Sequence, residues 1–78
     1  MKIISMQNKE KYYYDLIVSN LKKIRQKHLL SQEEFAEKLD CSREYISRLE
    51  NNREKISLKM LLKISTIFNI NPQDFFQK

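Results

Sequence analysis

Apolar residues recur along this chain at spacings of three and four, the period of an amphipathic helix. Alternation of the strand type is scarce. From about Lys11 to Lys27, Tyr14, Ile17, Leu21 and Ile24 trace one stripe and predict a first helix. Tyr12, Tyr13 and Val18 lie partly off that stripe, a surplus of apolar surface suited to the core edge or to another chain. Phe35, Ala36 and Leu39 form the inner face of a second helix, and Ile46 and Leu49 that of a third. Leu58, Leu61, Ile64 and Phe68 predict a fourth, buried along that row. Phe75 and Phe76 are the apolar residues of a short fifth. Residues 1–10 carry no clear pattern and read as an N-terminal arm, with 11–78 as a single domain.

The helix starts carry recognisable caps. Ser31 and Glu34 have the spacing of a capping box, in which each side chain satisfies an orphan backbone donor. Ser42 and Ser57 open the third and fourth helices. Asn71 precedes Pro72, a residue suited to a first helical position. The second helix is expected to end at Asp40 and the third near Asn51 and Asn52.

Composition narrows the chemistry. With 78 residues there is room for one core. The chain has no glycine, and both the phosphate-cradling loop and the dinucleotide fingerprint need backbone approach that glycine allows. One His and one Cys exclude a Cys/His zinc site, and no cofactor is expected. Cys41 reads as a small buried hydrophobe in a reducing setting. No apolar run approaches the roughly 18 residues of a membrane span, and MKIISMQ is too short for a secretory leader. An enzyme is not expected, and a cytoplasmic location is. The net charge of +5 points to an anionic partner.

The second and third helices meet at a tight break over Asp40 and Cys41, a helix-turn-helix pattern. Ala36 is small enough for the close crossing. Ile46 and Leu49 pin the third helix from behind. Its other face carries Arg43, Glu44, Ser47 and Arg48. Glu44 and Arg48 suit a surface pair worth about 0.3–0.5 kcal/mol. They equally suit a face that reads DNA.

At these residues the chain resembles the Cro/phage-repressor, or Xre, family. The likeness runs from Leu16 to Phe76, through LKKIRQKHLLSQEEFAEKL, YISRLEN, SLKMLLKI and FNINPQDFF. The family's unit carries Gln, Ala, Gly and Ile or Val, which here fall on Gln32, Ala36, Asp40 and Ile46. Gly is common in the family where Leu29, Asp40 and Asn52 stand. Asp40 and Asn52 tolerate a left-handed backbone, whereas Leu29 does not do so easily. The first inter-helix turn is therefore expected to take another geometry.

The resemblance implies an all-α, five-helix, lambda-repressor-like domain with its helix-turn-helix at helices 2 and 3. It implies a sequence-specific regulator of transcription, most simply a repressor, that binds a palindromic duplex as a homodimer. Ser42, Arg43, Glu44, Ser47 and Arg48 are then the candidate base readers. Arg43 suits guanine, and Glu44 suits a base amino group. Gln32, Tyr45, Asn51, Arg53 and Lys55 are candidate phosphate contacts. Arg25 and Glu50 match the family's partly buried ion pair. Ile70, Phe75 and Phe76 are candidate dimer anchors, with the tyrosine-rich first helix as the other surface. No separate ligand-binding or oligomerisation domain is expected. Two other roles stay open: the controller protein of a restriction–modification system, and an antitoxin whose main partner is a toxin protein.

Overall fold

Four helices must stop in a chain without glycine, and the way they stop shapes the fold. The structure, a computed structural model, describes residues 3–78. Among these residues are four α-helices: α1 (Ile3–Lys27), α2 (Gln32–Lys38), α3 (Arg43–Glu50) and α4 (Leu58–Phe68). A 3-10 helix, Pro72–Phe76, follows them. No strand occurs among the described residues.

Each α-helix ends in the same backbone knot. Leu29, Asp40, Asn52 and Asn69 all adopt φ between 55° and 60°. The next residue then donates its N–H back across the last turn. Leu30 bonds the Arg25 carbonyl, Cys41 that of Ala36, Arg53 that of Arg48 and Ile70 that of Ser65, at 2.8–3.1 Å. The left-handed residues themselves reach Gln26, Glu37, Leu49 and Thr66. These are Schellman ends, which satisfy carbonyls that a helix terminus would leave bare. The expectation for the first turn is overturned. Leu29 does adopt the left-handed conformation, because the two hydrogen bonds at Leu29 and Leu30 outweigh the steric cost at one β-carbon. That cost is about 1–2 kcal/mol.

Serines start the central helices. The Ser31 hydroxyl accepts from the Glu34 amide at 3.0 Å, and the Glu34 carboxylate accepts from the Ser31 amide at 2.8 Å. The bond from the Ser31 amide, with a further contribution from the Ser31 side chain, holds the Glu34 carboxyl below its ordinary range. Ser42, Ser57 and Asn71 accept from Tyr45, Met60 and Gln73 in the same manner.

The core collects the inner faces. Ile17, Leu21, Phe35, Ala36, Leu39, Ile46, Leu49, Ile56, Leu61, Ile64 and Phe75 form one buried cluster. Tyr14, Ile24, Cys41 and Phe68 pack against it. Val18 is also buried, whereas Tyr12 and Tyr13 are about half exposed. Leu58 departs from its expected burial and is 70% exposed, since it opens α4 on the outer side of the Ser57 cap.

Two further expectations change. The first helix begins at Ile3 and not at Lys11, so the described part of the expected arm is helical. Met1 and Lys2 lie outside the described residues. The expected fifth α-helix is the 3-10 helix. Five residues cannot carry an α ladder without tertiary help, and the Asp74 amide closes on Asn71 at 2.9 Å. Asn20 of α1 anchors this 3-10 segment to the body. Its amide donates to the Phe75 and Gln77 carbonyls at 2.7 and 2.8 Å. Fully buried Phe75 is thereby locked into the core.

Leu29 is 89% exposed, so replacing it forfeits no burial. Leu29→Gly should stabilise the chain by about 0.5–1 kcal/mol, the relief of the β-carbon clash less glycine's extra freedom when unfolded. Thermal denaturation should register this as a rise of about 4 °C. Leu29→Ala keeps the β-carbon and should give no such rise.

Candidate nucleic-acid interface

Helix α3 has two unlike faces because its sequence alternates anchors with long polar side chains. Ile46, Leu49 and Glu50 face inward and are buried. Arg43, Glu44 and Arg48 face solvent, and Ser47 is half exposed. The Ser42 cap fixes the N-terminus of α3, and its hydroxyl is already committed to the Tyr45 amide.

The inward carboxylate organises the site. Arg25 of α1 grips Glu50 with two N–H groups, Nε to Oε2 at 2.7 Å and Nη2 to Oε1 at 3.0 Å. Its Nη1 donates to the Leu30 carbonyl at 2.9 Å, tying the pair to the turn before α2. Gln32 adds a third donor, Nε2 to Glu50 Oε1 at 3.0 Å. An ionised carboxylate only accepts, so the Gln32 amide must turn its NH2 inward and its oxygen outward. That oxygen accepts from Arg43 Nη1 at 3.5 Å, the long end of hydrogen bonding. A polar chain therefore runs from α1 through Glu50 and α2 to the first exposed arginine of α3.

The remaining candidates divide into groups. Arg48 pairs with Glu54 of the following loop, Nε to Oε1 at 2.8 Å, and not with Glu44. Its guanidinium carbon lies 5.8 Å from the centre of the Tyr45 ring. Burial pushes the Tyr45 hydroxyl pKa up, and the Glu54 carboxylate adds to the rise. Asn51 donates to the Ser47 hydroxyl at 3.3 Å. Arg53 is exposed beyond the end of α3. Lys55 is turned toward α1, with Nζ 3.6 Å from Glu10 and 5.2 Å from the centre of the Tyr14 ring. Cys41 is partly buried behind the turn, and desolvation raises its thiol pKa.

The three expected dimer anchors do not share a patch. Phe75 is fully buried within the chain and has no surface left to offer. Ile70 borders a groove with Lys23, Lys27 and Asp74. Phe76 is about half exposed and lines another groove with Tyr13, Ile56, Leu58 and Leu61. There the Phe76 and Tyr13 rings meet edge-on, 6.4 Å between centres. Sequence reasoning missed Glu54, Glu10 and Asn20. They reach their partners across loops, at separations that no helical period marks.

Residues 21–75 match the helix-turn-helix family. The chain belongs to that family. It is of the Xre type, a type of DNA-binding transcription regulator. It is 37% identical over 71 residues to an uncharacterized HTH-type transcriptional regulator of Methanocaldococcus jannaschii, covering 91% of each chain. It is 42% identical over 59 residues to the control protein C.MunI of a Mycoplasma species, covering 74% of this chain and 80% of that one. An uncharacterized HTH-type transcriptional regulator of Archaeoglobus fulgidus is 36% identical over 58 residues, covering 74% of this chain and 82% of its own. No solved structure matches. Among the described residues, no helix is long and apolar enough to cross a membrane.

Glu50→Ala would leave Arg25 buried with part of its donor set unmet. It should lower the unfolding free energy by about 3 kcal/mol in urea titrations. An Arg25→Leu, Glu50→Leu double variant should recover much of that loss, because no isolated charge stays inside.

Proposed function

We propose that this chain is a sequence-specific, double-stranded DNA-binding regulator of transcription that acts as a repressor and reads the major groove with α3. The observation that carries this reading is the two-faced α3, its back fixed by Ile46, Leu49 and Glu50, its front exposed to solvent. A helix held so firmly can enter a groove about 12 Å wide without losing its own packing.

Arg43, at the N-terminus of α3, donates to guanine O6 and N7. Glu44 accepts from a base amino group and excludes bases that present only acceptors there. Ser47 and Arg48 reach further along the site, and Ser42 sits at its near edge. Gln32, Tyr45, Asn51 and Arg53 meet the flanking phosphates, Gln32 only through the second N–H of the amide nitrogen that bonds Glu50, since its oxygen can only accept. Lys55 joins them only after leaving Glu10 and Tyr14.

A single head covers few base pairs, so two copies act together on a palindrome with half-sites about 34 Å apart. The shared surface is the groove of Tyr13, Leu58 and Phe76, where the end of the chain and the tyrosine-rich part of α1 adjoin. The likeness to a protein named as a control protein favours a second reading within the same chemistry. On that reading this chain sets the expression of a restriction–modification system.

Selection of bound duplexes from a random pool tests the reading directly. The expected product is a two-fold symmetric site with that spacing; recovery of no preferred sequence from folded protein rejects it. Arg43→Ala should cost about 1–3 kcal/mol on the selected site and relax preference at one base pair. Equal loss on random DNA would reduce Arg43 to a phosphate contact. Leu58→Glu should abolish self-association in sedimentation velocity with an unchanged helical spectrum.

A further inference from the structure

Arg48 does not wave free on the reading face. Its Nε is taken by Glu54 Oε1 at 2.8 Å, and the Tyr45 ring flanks its guanidinium. An exposed ion pair by itself means little. This one differs because the backbone beneath the carboxylate is fixed from both sides. Upstream, the Asn52 and Arg53 amides close on Leu49 and Arg48 at 3.2 and 2.9 Å. Downstream, Lys55 is drawn to Glu10 and Tyr14, and Ile56 is buried in the core.

Arginine has five N–H donors in a rigid fork. With Nε committed sideways, the fork presents its Nη1 and Nη2 end, the edge that can span guanine O6 and N7. The same carboxylate is a negative charge beside a surface that must approach phosphates, and DNA carries one phosphate charge per about 1.7 Å of axis. Its charge alone therefore opposes binding to every duplex, while the orientation it imposes more than offsets that penalty where the right base is present.

Building on the DNA-reading function above, we propose that Glu54 is a positioning residue that sets sequence discrimination through Arg48. It aims the arginine fork at a base pair and penalises duplexes that lack the matching base. Its effects on specific and random DNA are opposite in sign, which no purely structural surface pair would produce.

The test uses the full chain and fluorescence anisotropy on three kinds of duplex. These are the selected site, the same site with each base pair replaced in turn, and random DNA, each at two salt concentrations. The base pair under Arg48 is the one at which Arg48→Ala relaxes preference. Glu54→Gln, a nearly isosteric change at a half-exposed side chain, should tighten binding to random DNA severalfold. It should reduce discrimination at that one base pair about tenfold, within the range of a single bidentate contact. In an Arg48→Ala background, Glu54→Gln should still tighten random binding but alter discrimination no further. The inference is overturned if Glu54→Gln leaves discrimination unchanged, if it erodes discrimination without Arg48, or if Arg48→Ala relaxes no position. A selective wild-type chain with any of these results discards the role of Glu54 alone. A wild-type chain that binds all duplexes alike discards the DNA-reading function as well.

Discussion

The buried Glu50 carboxylate is the constraint on which the rest of the molecule depends. A charge that deep is costly unless strong donors surround it. Two come from Arg25 of α1 and one from Gln32 of α2, while the carboxylate belongs to the last turn of α3. Three helices are thus held at one point. Hydrophobic contacts alone would let α3 slide or roll against α2 at little cost, since apolar attraction has no direction. Hydrogen bonds at 2.7–3.0 Å do not permit it. The front face of α3 inherits a definite orientation from a contact on its back.

Around that point the turns are fixed by backbone bonding. Four helix ends use the left-handed conformation without glycine, and asparagine or aspartate fills three of them. These side chains are the ones that accept the conformation most readily. The residue after each left-handed position is Leu30, Cys41, Arg53 or Ile70, so three of the four return an apolar side chain toward the body. The lone cysteine is one such return residue, which accounts for its place against the core.

Much of this was legible in the sequence, and what was legible was local. Ser31, Ser42, Ser57 and Asn71 announce their helices by side-chain chemistry acting two or three residues away. Ile46 and Leu49 declare the inner face of α3 by spacing. The family likeness at Gln32, Ala36 and Ile46 supplied the arrangement of helices that periodicity cannot. What escaped was set by contacts distant along the chain. Phe75 and Phe76 are adjacent and alike, yet one fills the core and the other does not, because Asn20 fixes the register of the chain end. Leu58 fits the helical period of α4 but falls on its open side. Glu44 and Arg48 have ideal spacing for each other, but Arg48 turns to Glu54. The role of Leu29 was misjudged by weighing its β-carbon alone, without the two hydrogen bonds that its conformation completes.

The amide of Gln32 has a polarity that the interior dictates. Its nitrogen is bound to a partner that can only accept, so the atom turned outward is always an oxygen. Position 43 therefore faces a standing acceptor. Arginine, lysine, glutamine or asparagine can live beside it, while aspartate or glutamate would meet it lone pair to lone pair. The side chains that position 43 can carry are thus narrowed by a carboxylate buried on the opposite side of the helix.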